Sequence, residues 1–213
     1  MTPGEVLRTI AGLETVPGAS QVDLIVGLGN VGQRYVGSRH NVGFEVLDLV
    51  ARQLAVGPRR ADDLYYWCSA EHRRHLLTLA WPRTYMNLSG QAAVDLLDRL
   101  EVPVERMLVI VDDFNLPLGS LRFRRRGTDG GHNGLASLIE ELGTDDFPRC
   151  RIGIGEPSEE EDVVDFVLGP FAEAEREVIE PIIATAAEAV IFAIDHHFDE
   201  VMSKYNRNPA QPD

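Results

Sequence analysis

The 213-residue chain is 44% hydrophobic and 25% charged, an ordinary globular composition at a length that buries about 70% of the unfolded surface. It has no apolar run near the roughly 18 residues of a membrane span and no basic segment leading into an apolar leader, so a cytoplasmic protein is expected. The net charge of −14 argues against general affinity for polyanions, yet it conceals a basic cluster at Arg122, Arg124, Arg125 and Arg126 and an acidic one at residues 159–162.

In chain order, residues 1–20 read as an extension, with a short helix over 5–13 and a break at Pro17-Gly18. The β-branched run 24–26 predicts a strand, followed by GLGNVG, a literal G-x-G-x-x-G. That pattern binds dinucleotides only where a helix opens within it and an acid ends a second strand about 20 residues on. Here Gln33–Arg39 has no helical period, and Glu45 and Asp48 fall inside the apolar stripe Val42, Val46, Leu49 and Val50. The loop therefore serves another purpose. Residues 65–80 predict a hairpin, with strands 65–70 and 76–80. Further strands are expected at 107–111, 121–124 and 151–154.

Helical stripes recur at Ala93, Leu96, Leu97 and Leu100, and at Leu135, Leu138, Ile139 and Leu142, the latter stopped by Gly143. A longer one runs from Val178 to Ile194, where Pro181 either begins or kinks the helix. Alternating strands and helices predict one α/β domain over 21–205, a twisted mixed β-sheet flanked by helices, with a frayed tail at 206–213. Cys68 and Cys150 lie in strands without metal or disulfide spacing.

Three strand-to-helix junctions carry asparagine: Asn30, Asn87 and Asn133. Ligands of open α/β sheets bind beyond the carboxyl ends of the strands, and a carboxamide offers both donors and an acceptor to peptide groups. Asn41 and Ser89, just before helices, read as caps. His40 follows the glycine-rich loop and can project into the same crevice as a general base. His132 sits beside Asn133. His72 and His75 read as solvated hairpin residues, and His196 and His197 as the end of the last helix. Asp112 and Asp113 end an apolar run, and alternation lets one of them face the crevice and orient the histidine. Neither Ser89 nor either cysteine has a nucleophile's surroundings. Water activated by His40 and oriented by Asp112 is the simplest chemistry.

Five ordered motifs, VGLGNVGQRYVGSRHNVGF, PRTYMNLSG, VDDFNLPLGSLRFRR, GGHNGLASL and RIGIGEP, resemble those of the bacterial peptidyl-tRNA hydrolase family over residues 22–205. The resemblance implies hydrolysis of the ester between a peptide and the 3′ ribose of tRNA, recycling tRNA from prematurely released peptidyl-tRNA, by a monomer needing neither cofactor nor metal. It implies His40 as base and Asp112 as its partner. Asn30, Tyr35, Met86, Asn87, His132 and Asn133 would line the substrate groove, and Arg122, Arg124 and Arg151 would hold phosphate at the tRNA acceptor stem. From the residues alone, the arginines read equally as a charged edge strand. Val31 departs from the family's usual proline, Ala136 from its usual basic residue, and Asp129 puts an acid near the RNA path. A non-catalytic RNA-binding protein on the same scaffold is the alternative, and loss of the base or its partner would mark it.

Overall fold

The run Met107–Asp113 is a strand buried at all seven positions, as a continuous apolar segment must be when helices cover both faces of its sheet. The structure, a computed structural model, describes residues 22–206. In chain order the strands are β1 (Leu24–Gly27), β2 (Arg60–Ala61), β3 (Tyr65–His72), β4 (His75–Pro82), β5 (Met107–Asp113), β6 (Leu121–Arg124) and β7 (Arg149–Gly153). The helices are α1 (Val42–Gln53), α2 (Ser89–Leu100), α3 (Asn133–Leu142), α4 (Val163–Leu168), α5 (Glu173–Asp195) and α6 (Phe198–Tyr205).

Among the described residues these strands form one seven-stranded sheet in the order β2-β3-β4-β1-β5-β7-β6. The four strands β4, β1, β5 and β7 run parallel, while β2, β3 and β6 pair antiparallel to their neighbours. The expected single-domain, helix-flanked mixed sheet is the observed architecture. Alternate residues of the central strands feed two cores. Ile25, Leu79, Leu108, Ile110 and Ile152 pack with α1, α5 and α6. Leu24, Val26, Val109 and Val111 pack with α2 and α3.

Two glycines set how closely α1 approaches the sheet. A Cβ on Gly43 would lie 2.5 Å from the Leu28 carbonyl oxygen and 2.6 Å from that of Ile110, and one on Gly27 would lie 2.6 Å from the Gly43 oxygen. Any larger residue at either position would push away the helix start that follows His40.

Several expectations are corrected. His72 and His75 are paired rather than solvated, His72 Nε2 lying 2.7 Å from Asp195 Oδ2 and His75 Nε2 3.0 Å from the Val22 carbonyl oxygen. His196 and His197 do not end the last helix but separate α5 from α6, and Pro181 stands inside α5. At Asn206, where the tail was expected to begin, the carboxamide accepts from the Phe123 N–H (2.6 Å) and donates to the Phe123 carbonyl (3.2 Å). The extension 1–20, its helix over 5–13, and residues 207–213 lie outside the described residues.

Candidate active site

The chain leaves β1 towards the β2-β3-β4 side and returns past β1 to β5, so the strand order reverses at β1. The carboxyl ends of β1 and β5 flank that reversal, the position where open α/β sheets hold ligands. His40 enters there from a single 3-10 turn, Arg39–Asn41, whose three side chains are all buried. Arg39 turns outward to anchor the turn. Its backbone N–H donates to Gly169, its Nη1 to the Phe166 carbonyl at 3.1 Å, and its Nη2 to Glu175 at 2.7 Å. The guanidinium also lies over the Phe166 ring.

His40 Nδ1 lies 2.9 Å from Asp112 Oδ2 and 3.0 Å from Oδ1. A second imidazole reaches the same carboxylate, with His132 Nε2 3.0 Å from Asp112 Oδ1. The protonation pattern follows from the backbone. The N–H groups of Gly134 and Leu135 both donate to His132 Nδ1, at 3.0 and 3.1 Å, so that nitrogen is an acceptor and Nε2 carries the hydrogen. Asp112 then accepts from both rings, which leaves His40 Nε2 as the free basic nitrogen.

Charge reinforces this assignment. Burial alone would raise the Asp112 pKa, but the His40 charge and the hydrogen bonds from both rings outweigh it and hold the carboxyl below its usual range. Burial pulls His40 the other way, downward, yet the Asp112 charge and hydrogen bond win and set it above 6.5.

The ligating atoms of His40, Asp112 and His132 come within 4.8 Å of one another. The set nevertheless suits protons better than a cation. With His132 Nδ1 occupied by two N–H groups, Nε2 offers a metal no lone pair unless the ring becomes an imidazolate.

Asn30 is buried, and its Oδ1 accepts the Met86 N–H at 3.2 Å, joining the β1 loop to the loop after β4. Met86 is buried too, with its sulfur against Gly134. Asn87 and Asn133 are exposed, and Tyr35 is half-buried with Arg34 over its ring. His132 is buried and caps α3 with its Nδ1, which the sequence pattern did not reveal. The expected caps are absent: Ser89 bonds back to the Met86 carbonyl, and the Asn41 side chain turns to Asn30 instead of α1.

Arg122 and Arg124 share one face of β6, opposite the buried Leu121 and Phe123, while Arg125 reaches Asp199 on α6. Arg151 is the register partner of Arg122, but its Nε is already paired at 2.8 Å with Asp113. The fourth arginine of this face, Arg149, was not singled out from sequence. It is fully buried and donates to the carbonyls of Gly127 (2.6 Å) and Asp145 (2.7 Å), bracing the loop before α3. Its place two residues before Arg151 was the available signal.

Comparison with known proteins gives a consistent match. A family model described as peptidyl-tRNA hydrolase matches residues 24–213. Proteins named peptidyl-tRNA hydrolase are 43% identical over 187 residues in Chlorobium phaeobacteroides (88% of this chain, 99% of theirs) and 40% over 183 residues in Clostridium botulinum (86% and 96%). The crystal structure of peptidyl-tRNA hydrolase from Acinetobacter baumannii superposes with a TM-score of 0.84 at 31% identity, covering 89% of this chain and 97% of that one.

Proposed function

The chain belongs to the peptidyl-tRNA hydrolase family, and we propose on that footing that it hydrolyses the ester joining a peptide to the 3′ ribose of tRNA, with His40 as the base. The observation that carries this reading is the His40–Asp112 contact, which holds one imidazole nitrogen and leaves the other free. Water between His40 Nε2 and the substrate loses a proton to that nitrogen as its oxygen attacks the ester carbonyl. The C–O bond to the ribose then breaks, and His40 returns the proton to the leaving 3′ oxygen, giving free peptide acid and tRNA. Asn30, Asn87 and Asn133 hold the substrate around the scissile bond. Tyr35, Met86 and His132 shape or support the groove.

Arg122, Arg124 and Arg151 serve the phosphates of the acceptor stem, with Arg151 already aligned by Asp113. No helix is long and apolar enough to cross a membrane among the described residues. Action as a cytoplasmic monomer completes the proposal and rests on the family resemblance. The alternative, a scaffold that binds RNA without catalysis, is not supported, since the base and its partner are both present and the matched relatives are named as hydrolases.

The direct test is release of free tRNA from N-blocked aminoacyl-tRNA by the purified protein with EDTA present. Measured against pH, kcat/KM falls on acidification with an inflection above 6.5, because the base must be neutral and Asp112 favours its protonated form. Absence of release, or a rate indifferent to pH between about 5 and 8, overturns the assignment of His40. A second expectation concerns the basic face. The double variant Arg122→Ala/Arg124→Ala raises KM with little change in kcat, and flattens the log–log salt dependence of kcat/KM by about 1 for each phosphate no longer neutralised. An unaltered salt slope would make these arginines an ordinary charged edge.

A further inference from the structure

Asn41 occupies the residue before α1, yet its side chain gives that helix no hydrogen bond. Its Oδ1 accepts the backbone N–H of Asn30 at 2.7 Å, and its Nδ2 donates to the backbone carbonyl of the same residue at 3.0 Å. Both groups are buried, and Asn41 is only 6% exposed. One carboxamide thus pairs both peptide groups of one residue, as a neighbouring strand would. Asn206 treats Phe123 the same way. Asparagine suits this position: aspartate lacks the donor, leucine lacks both groups, and glutamine is a methylene too long.

What Asn41 grips is itself part of the proposed site. The Asn30 side chain spends its Oδ1 on the Met86 N–H, and among the described residues nothing accepts from its Nδ2. That donor is left for substrate. The loop that bears it, Gly29-Asn30-Val31-Gly32, has no helix or strand to stiffen it, and Gly32 sits at φ 118°. Asn41 directly follows His40, so one short turn fixes the base through Asp112 and the donor through Asn41.

We propose that Asn41 is a positioning residue of the hydrolysis, locking the Asn30 carboxamide into a fixed relation with His40. The proposal rests on the hydrolase reading above and adds a residue to its machinery. A misplacement of about 1 Å in a reacting constellation lowers rates by about 100-fold. The near-isosteric Asn41→Leu therefore lowers kcat by about 10- to 100-fold, with KM for tRNA shifting much less because the arginine face is untouched.

The deciding experiment is a double-mutant cycle with Asn41→Leu and Asn30→Ala, measuring kcat, KM and thermal melting on N-blocked aminoacyl-tRNA. If Asn41 acts through Asn30, the double variant is no slower than Asn30→Ala within about twofold, whereas independent roles would multiply. Should Asn41→Leu fail to give a cooperative melt, Asn41→Ala takes its place in the same cycle. An active wild type with multiplicative losses, or a single variant of unchanged kcat, overturns this proposal alone. An inactive wild type overturns the hydrolase reading, and this proposal with it.

Discussion

Replacing His40 with alanine lowers single-turnover release of tRNA by about 10²- to 10⁴-fold, the usual contribution of a positioned base. Binding of the substrate should survive, because the arginines and the asparagine loops lie on other elements. Among the described residues the substitution leaves buried Asp112 with only the His132 N–H as a side-chain partner, so some loss of stability, about 1–3 kcal/mol, accompanies it. Added imidazole entering the vacated space should restore part of the rate. Wild-type turnover in His40→Ala would dismiss the mechanism outright.

Asp112→Asn changes the chemistry without changing the shape, and it is expected to lower kcat by about 10²- to 10⁴-fold. The carboxylate now accepts from two imidazoles at once, His40 and His132. A carboxamide presents one oxygen and one NH2, and His132 cannot turn its hydrogen aside, since two backbone N–H groups hold its other nitrogen. His132 takes the oxygen, and the NH2 faces His40. That favours the tautomer in which His40 Nδ1 accepts and Nε2 carries the hydrogen, so the base arrives already protonated. In serine proteases a mis-set tautomer of this kind costs about 10⁴ in kcat.

The sign of the pH effect is separate. With the carboxylate charge gone and burial remaining, the residual inflection moves below that of the wild type. An inflection unmoved in this variant would mean that Asp112 does not govern the base.

The parts of this site that sequence disclosed were those governed by local period. Strand alternation said that only one of Asp112 and Asp113 could face the histidine, and the family resemblance pointed to Asp112; in the structure Asp112 meets His40 and Asp113 meets Arg151. The long strands and α1, α2, α3 and α5 followed from apolar spacing. Short elements escaped: six residues of α4 and two of β2 are too few for a period to register. The side-chain partnerships that matter most were also hidden. Asn41 looks like a helix cap because it precedes a helix, but its partner lies 11 residues back across a glycine loop. The cap that His132 Nδ1 gives α3 is likewise absent from the sequence pattern. Both partnerships escape because a side chain with two hydrogen-bonding ends can serve local backbone or distant structure, and only packing decides.

The grip of Asn206 on Phe123 has a consequence at the border of the sheet. β6 is an outer strand, and its unpaired N–H and C=O groups would otherwise invite a strand from another chain. Asn206 occupies both of those groups at the strand's midpoint, while the opposite border, β2, is only two residues long. Held in this way, the midpoint of β6 offers no free pair of peptide groups to a strand from another chain.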